Sequence, residues 1–147
     1  MHDHYNLLMY YDGSPESRSA LLRVTQLGYA LTATVHVLSI VDIGSVAGAS
    51  LGYLSDMACL QIESTTKQTL EEALDHLRES GTVAHGYVTA GNVVDSMARY
   101  AEILNVDLLV LGHRNRRGLG SWWGHPSNHA ELVKRVAGRA VITVPLD

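Results

Sequence analysis

Two short segments of the chain carry the side chains best suited to binding a small ligand. Asp12-Gly13-Ser14 follows one apolar run, and a segment rich in glycine and arginine, residues 112–118, follows another. Guanidinium groups bind phosphate oxygens through paired hydrogen bonds, and here they are concentrated in a chain whose formal net charge is −4. The second segment therefore predicts an anion site, with a solvated basic loop as the alternative interpretation.

Other candidate groupings are weaker. His125 and His129 are four residues apart, but a metal would need a third ligand, so we expect no metal site. Cys59 is interpreted as an inert, wholly or partly buried thiol. Trp122-Trp123 is interpreted as a hydrophobic plug or partner contact. The sequence contains no nucleophile elbow and no Ser-His-Asp or Cys-His pattern, so it predicts no catalytic residues.

The composition limits the class of protein. The chain has 147 residues, of which 46% are hydrophobic and 18% charged, which predicts one globular domain over residues 1–147. The charge balance favours neither nucleic acid nor an acidic membrane as a partner. The single cysteine suits a reducing compartment. The polar start, Met1 to His4, does not resemble a signal peptide, and no apolar run is long enough to span a bilayer. We therefore expect a soluble cytoplasmic protein.

The elements that must position these residues can be predicted from periodicity. Strands are predicted at 6–11, 34–41, 83–88, 106–111 and 140–144, the last ended by Pro145. Helix starts are predicted at Ser14-Pro15, Ser55, Asn92 and Asn128, where Glu131 completes a possible capping box. Residues 42–54 predict a long mobile loop. Strands that alternate with helices imply parallel pairing and an α/β fold.

The chain also resembles a known family. The residues concerned are Asp12-Gly13-Ser14, the run VDLLVLGHR at 106–114, the Arg-x-Gly-Leu of 116–119, and a last helix that runs into VITVP. In order and spacing this pattern resembles the universal stress protein family over nearly the whole chain. The resemblance implies a doubly wound, five-stranded, Rossmann-like parallel sheet of order 3-2-1-4-5. It also implies a dimer, and an adenine nucleotide (ATP, ADP or AMP) bound in the crevice between strands 1 and 4.

The phosphate loop departs from the pattern of the family's ATP-binding branch. That pattern is Gly, two residues, Gly, nine residues, then Gly followed by Ser or Thr, because glycines let backbone N–H groups close on phosphate oxygens. Gly112 keeps the first position, and Asn115 occupies the second. His125-Pro126 occupies the final pair, or Ser127-Asn128 does if two residues are inserted. Pro126 removes a backbone donor, whereas Asn115 tolerates positive φ.

The resemblance carries specific roles onto this sequence. Asp12 would bind ribose hydroxyls or adenine, with an Asx-turn as the alternative role, and the backbone of Ile40 would contact the adenine edge. Phosphates would be held by the remaining candidates, and Mg²⁺ would accompany ATP. Asn128 has a helix cap as its alternative role. The phosphate candidates are Gly112, Arg114, Asn115, Arg116, Ser127 and Asn128.

Two functions remain open at this point, and a third, an enzyme of the same fold such as a nucleotidyl transferase, is disfavoured because the sequence has no catalytic constellation. The first is a stress-response and regulatory module that binds an adenine nucleotide and at most hydrolyses ATP weakly. The second is a dimeric interaction module of the same family that has lost nucleotide binding, as the altered loop would allow. Either would form a homodimer through the apolar C-terminal strand at 140–144 and act on a protein partner that the sequence does not identify.

Overall fold

The structure is a computed structural model that describes residues 4–41, 54–114 and 128–146, with side chains omitted at 54–56 and 128–129. Strands and helices alternate through these ranges. In chain order the elements are β1 Tyr5–Tyr10, α1 Pro15–Leu31, β2 Ala33–Val41, α2 Leu54–Glu79, β3 Val83–Ala90, α3 Val93–Ile103, β4 Leu108–Arg114, α4 Asn128–Arg135 and β5 Ala140–Leu146.

The five strands form one parallel sheet in the order β3-β2-β1-β4-β5. The central strand, β1, pairs with β2 from Tyr5↔Ala33 onward and with β4 from Leu7↔Leu108 onward. The predicted order is confirmed. The winding reverses at β1, so the carboxyl ends of β1 and β4 form the crevice of a doubly wound sheet.

Helices cover both faces of the sheet. On one face, α1 and α2 enclose a core that includes Leu7, Met9 and Val110. On the other, α3 and α4 enclose a second core around Leu8 and Leu109. Successive residues of β1 and β4 therefore serve opposite cores, which explains why these strands are continuous apolar runs and do not alternate with polar residues.

Local signals account for the helix boundaries. The Ser14 side chain accepts a hydrogen bond from the Ser17 N–H, and Pro15 occupies the first turn of α1. Asn92 caps α3 by accepting from the N–H groups of Val94 and Asp95. Gly81, at φ +81°, ends the run of α2 with a left-handed residue. The predicted starts of α1 and α3 are confirmed.

Several boundaries differ from the sequence prediction. Ser55 lies inside α2, which already includes Leu54, so it does not cap that helix. β4 continues to Arg114, so the first residues of the predicted basic loop belong to a strand. β5 continues through Pro145, which pairs with His113.

The continuation of β5 has a geometric reason. Ala140 donates its N–H to the Asp107 carbonyl beneath β4, so alternation turns residues 140, 142, 144 and 146 toward β4. The nitrogen of Pro145 consequently faces the open edge, where no ladder donor is required.

Candidate functional site

The crevice is formed by the carboxyl ends of three neighbouring strands. Asp12 follows β1, Ile40 lies near the end of β2, and Gly112 and Arg114 lie at the end of β4. These four predicted site residues are therefore brought to one edge of the sheet. This is the edge where ligands bind in open α/β folds.

Asp12 takes part in the turn that starts α1. Its Oδ1 accepts hydrogen bonds from the Ser14 N–H at 2.9 Å and the Ser17 hydroxyl at 2.8 Å. Its Oδ2 has the Tyr10 hydroxyl at 3.4 Å. Although desolvation opposes ionisation, the bonds from Ser14, Ser17 and Tyr10 lower the pKa of Asp12. Asp12 is thus an exposed, charged Asx-turn residue, and Oδ2 is the oxygen with capacity for a ligand hydroxyl.

Ile40 offers its backbone to the crevice. The Leu38 carbonyl accepts from the Tyr11 N–H at 3.0 Å, and the Val41 carbonyl accepts from the Gly91 N–H on the β3 side at 3.2 Å. Alternation along β2 therefore turns the N–H and C=O of Ile40 toward the β1 side. The ladder between β1 and β2 ends at Tyr10↔Leu38, so this polar edge extends two residues beyond β1. The Ile40 side chain packs against the second core.

Gly112 is required by packing. A Cβ atom at this position would lie 2.2 Å from the carbonyl oxygen of Glu16 and 2.4 Å from its carbonyl carbon. The first turn of α1 therefore rests directly on the backbone of β4. Close packing alone therefore requires glycine at position 112, whether or not a ligand binds.

Arg114 is already engaged by a carboxylate. Its Nε lies 2.6 Å from Oε1 of Glu16, in the first turn of α1. The side chain of Arg114 is 52% exposed and that of Glu16 is 22% exposed. A hydrogen bond from its own backbone N–H, the Ser14 hydroxyl and the Arg114 charge lower the pKa of Glu16, against opposing desolvation and the Asp12 charge. The guanidinium of Arg114, which was predicted to bind a ligand anion, thus already pairs with the carboxylate of Glu16.

The structure does not describe the side chains of the other predicted phosphate ligands. Asn115, Arg116 and Ser127 lie outside the described residues, as do Trp122-Trp123 and His125-Pro126. Most of the loop predicted at 42–54 lies outside them too. Asn128 belongs to α4, at the first residue described there, and its side chain is not described.

Sequence reasoning missed Glu16 and Ser17. The contact of Glu16 with Arg114 arises only when α1 docks on β4, whereas that of Ser17 with Asp12 lies within the turn that starts α1. An acidic residue in the first turn of a helix is common in any case, because it interacts favourably with the helix dipole. The available signal was the pair of acidic residues, Asp12 and Glu16, flanking a helix start beside a predicted ligand site.

A second polar cluster, also missed, lies toward the opposite end of the sheet on the face of α3. His36 is 7% exposed, and its Nδ1 lies 3.1 Å from the Tyr87 hydroxyl and its Nε2 3.3 Å from Asn6 Oδ1. The His85 ring stacks on it at 5.7 Å between centroids. Burial, and secondarily the charge of His85, lower the pKa of His36. The only signal was a histidine inside the apolar run of β2.

Two findings limit the classes of site in the described parts of the chain. Those residues contain no group of three or more His, Cys, Asp or Glu arranged to hold a metal ion. Over the same residues, no helix has the length and apolar character needed to cross a bilayer.

Comparison with known proteins agrees with this fold. The model of the universal stress protein family matches residues 5–134. Universal stress protein A homolog 1 of Coxiella burnetii (strain RSA 493 / Nine Mile phase I) is 27% identical over 128 residues, which cover 85% of this chain and 88% of that protein.

Two solved structures share the architecture at low identity. A universal stress protein crystallised with cAMP has a TM-score of 0.66 at 22% identity and covers 97% of this chain and 98% of its own. An Arabidopsis thaliana family protein with AMP bound has a TM-score of 0.71 at 15% identity and covers 97% and 92%. The fold and crevice define a doubly wound α/β protein with a parallel sheet of order β3-β2-β1-β4-β5. Because the family model spans most of its length, the chain belongs to the universal stress protein family.

Proposed function

We propose that this chain is a single-domain regulatory module that binds an adenine nucleotide in the crevice between β1 and β4. The observation that carries the proposal is the convergence of the Asp12 carboxylate, the outward backbone edge of Ile40 and the Arg114 guanidinium at the reversal point of the sheet. The carboxylate can accept hydrogen bonds from a ribose diol, the backbone edge can pair with the edge of a base, and the guanidinium can bind a phosphate.

The geometry supports a role for each group. Oδ2 of Asp12 would accept from ribose hydroxyls, while Oδ1 stays committed to the turn. The N–H and C=O of Ile40 can pair with a donor–acceptor edge such as that of adenine. Gly112 keeps the end of β4 free of a side chain beside the phosphates. Asn115, Arg116, Ser127 and Asn128 would complete the phosphate site, and Mg²⁺ would accompany ATP.

Two relatives in fold support this choice of ligand, since one was crystallised with cAMP and another has AMP bound. The single cysteine suits a reducing compartment, and we propose the cytoplasm.

The test is calorimetry with ATP, ADP, AMP and cAMP at millimolar concentration on the wild type and on Asp12→Asn. The amide keeps an acceptor for the Asx-turn but weakens the bonds to the ribose hydroxyls, so affinity for AMP and cAMP, which carry a single phosphate, should fall about tenfold. Asp107→Asn is the matched control, because Asp107 also accepts a backbone N–H, from Asn6 at 2.8 Å, at the opposite end of the sheet. If no nucleotide binds the wild type, the chain does not have this function.

A second candidate is supported by the open edge of β5. Val141 and Thr143 direct their backbone groups away from β4, and no strand of the described residues pairs with that edge. An apolar strand of this kind pairs readily with a second copy. We propose a homodimer through β5. If nucleotide binding has been lost, this dimer would serve as an interaction module for another protein.

A further inference from the structure

The ion pair between Glu16 and Arg114 joins the two sides of the crevice. Glu16 belongs to α1, which follows β1, and Arg114 ends β4, so the 2.6 Å contact runs between the two elements that flank the proposed ligand. An anion that reaches Arg114 must share it with this carboxylate or displace it. The pair is therefore part of the ligand site and is not an isolated surface contact.

The backbone of Glu16 is held close to β4. Its carbonyl oxygen lies only 2.2 Å from the position that a Cβ atom of Gly112 would occupy, so the first turn of α1 contacts the backbone of β4 directly. Its side chain is the less exposed member of the pair, at 22% against 52% for Arg114. A ligand would consequently meet a carboxylate that is anchored through its backbone and is less exposed than the guanidinium it pairs with.

The same side of the crevice carries a second negative charge. The Asp12 carboxylate is held in the turn by Ser14 and Ser17, and the Ser14 side chain already accepts the N–H of Ser17 at the start of α1. The positive end of α1 is thus occupied by polar groups of the protein. Each phosphate added to a ligand brings further negative charge toward Asp12 and Glu16, and the repulsion grows with that charge.

We propose that Glu16 determines the charge of the ligand this crevice accepts. By holding Arg114 and adding a carboxylate anchored through its backbone, it favours adenosine, a cyclic nucleotide or a nucleoside monophosphate over ATP. This inference rests on the proposed nucleotide site and assigns its specificity to one residue.

The test compares the wild type with Glu16→Gln by calorimetry against adenosine, AMP, ADP and ATP. Removing the carboxylate frees Arg114 and removes one repulsive charge. Affinity for ATP should therefore rise about tenfold, that for AMP by less, and that for adenosine by less than about twofold. Glu102→Gln is the matched control: it makes the same change of net charge on an exposed residue near the end of α3, far from the crevice, and should leave all four affinities unchanged.

Two further measurements separate this inference from the proposed function. Adding Arg114→Gln to Glu16→Gln should abolish most of the gain for ATP, because the freed guanidinium is then absent. Inorganic tripolyphosphate, which has no nucleoside, should bind Glu16→Gln more tightly than the wild type.

The outcomes are distinct. If no adenine compound binds either protein but tripolyphosphate gains affinity, the nucleotide function falls and the role of Glu16 stands. If nucleotides bind and the gain is equal for adenosine and ATP, or absent, the role of Glu16 is overturned. If neither nucleotides nor tripolyphosphate respond, both are overturned. Thermal unfolding of each variant confirms that it is folded.

Discussion

Gly112 shows how a single hydrogen atom can set the geometry of a site. Any larger side chain would overlap the Glu16 backbone, and backbone cannot rotate away as a flexible side chain would. Because Gly112 has no side chain, α1 can approach β4 closely and Glu16 can contact Arg114. The packing role and the proposed ligand role of this glycine therefore act through the same contact.

We expect Gly112→Ala to lower the free energy of unfolding by about 1–3 kcal/mol or more, because the added methyl group forces α1 from its position on β4. Gly28→Ala is the control, because Gly28 lies in α1, the helix that Gly112→Ala would displace. Its Cβ would meet Thr82 and Val35 at 3.4 and 3.5 Å, ordinary contact distances, and alanine favours the helix by about 1 kcal/mol, so stability should hold or rise. Urea unfolding measures both. Equal stability of Gly112→Ala and the wild type would contradict the overlap.

His36 gives a second prediction at this scale. Its pKa is lowered from an ordinary value of 6.5, because it is buried and faces His85. Below that ordinary value the unfolded chain binds more protons than the folded chain, so stability falls as pH drops from about 6.5 toward the folded pKa, and is unaffected above it.

The measurement is the free energy of unfolding in urea at pH 8 and pH 5.5. His36→Gln keeps polar contact with Asn6 and Tyr87 but cannot titrate, so the loss of stability between the two pH values should shrink. His76→Gln, which removes a histidine from α2, should keep the loss of the wild type. An unchanged pH dependence in His36→Gln would show that other groups cause it.

At the scale of the element, periodicity predicted the right set of strands and helices because buried parallel strands are short apolar runs with clear stops. It failed where an element's end is decided by a neighbour. β4 runs on through Gly112-His113-Arg114 because β5 pairs with those residues, although their sequence resembles a loop. Gly86 looks like an interruption of β3, yet its Cβ would lie 2.6 Å from Leu74, so glycine lets α2 dock there.

The candidate site was predictable to the same extent. Asp12, Ile40, Gly112 and Arg114 could be assigned to one crevice because each ends or follows a predicted strand and the family resemblance implied the order of those strands. Glu16 could not, since its contact depends on how closely α1 approaches β4. The stacked rings of His36 and His85 were equally inaccessible, because they depend on the register between β2 and β3.

The proposed homodimer concerns the whole molecule. The register of β5 shows which substitution would test it. Thr143 directs its N–H to the open edge, whereas Ile142 directs its N–H toward β4. Thr143→Pro should therefore remove a donor from the proposed dimer ladder while sparing the protein's own sheet. Light scattering at micromolar concentration should give a dimer for the wild type and a folded monomer for Thr143→Pro.

Ile142→Pro is the comparison variant, since it also removes a bond to β4 and should lower stability as well as dimerisation. Thermal unfolding separates the two effects. A monomeric wild type, or a Thr143→Pro variant that remains a dimer, would exclude the β5 interface.

The central position of β1 has a consequence for how the chain is made. Asn6 is bonded to Asp107, 101 positions later, and Leu7 is paired with Leu108. On the ribosome, β1 emerges before the other four strands and can pair with β2 early, but its other side stays open until β4 has been synthesised. The nascent chain thus carries an uncovered apolar strand edge until β4 is made, and fragments that stop before β4 should depend on chaperones to stay in solution.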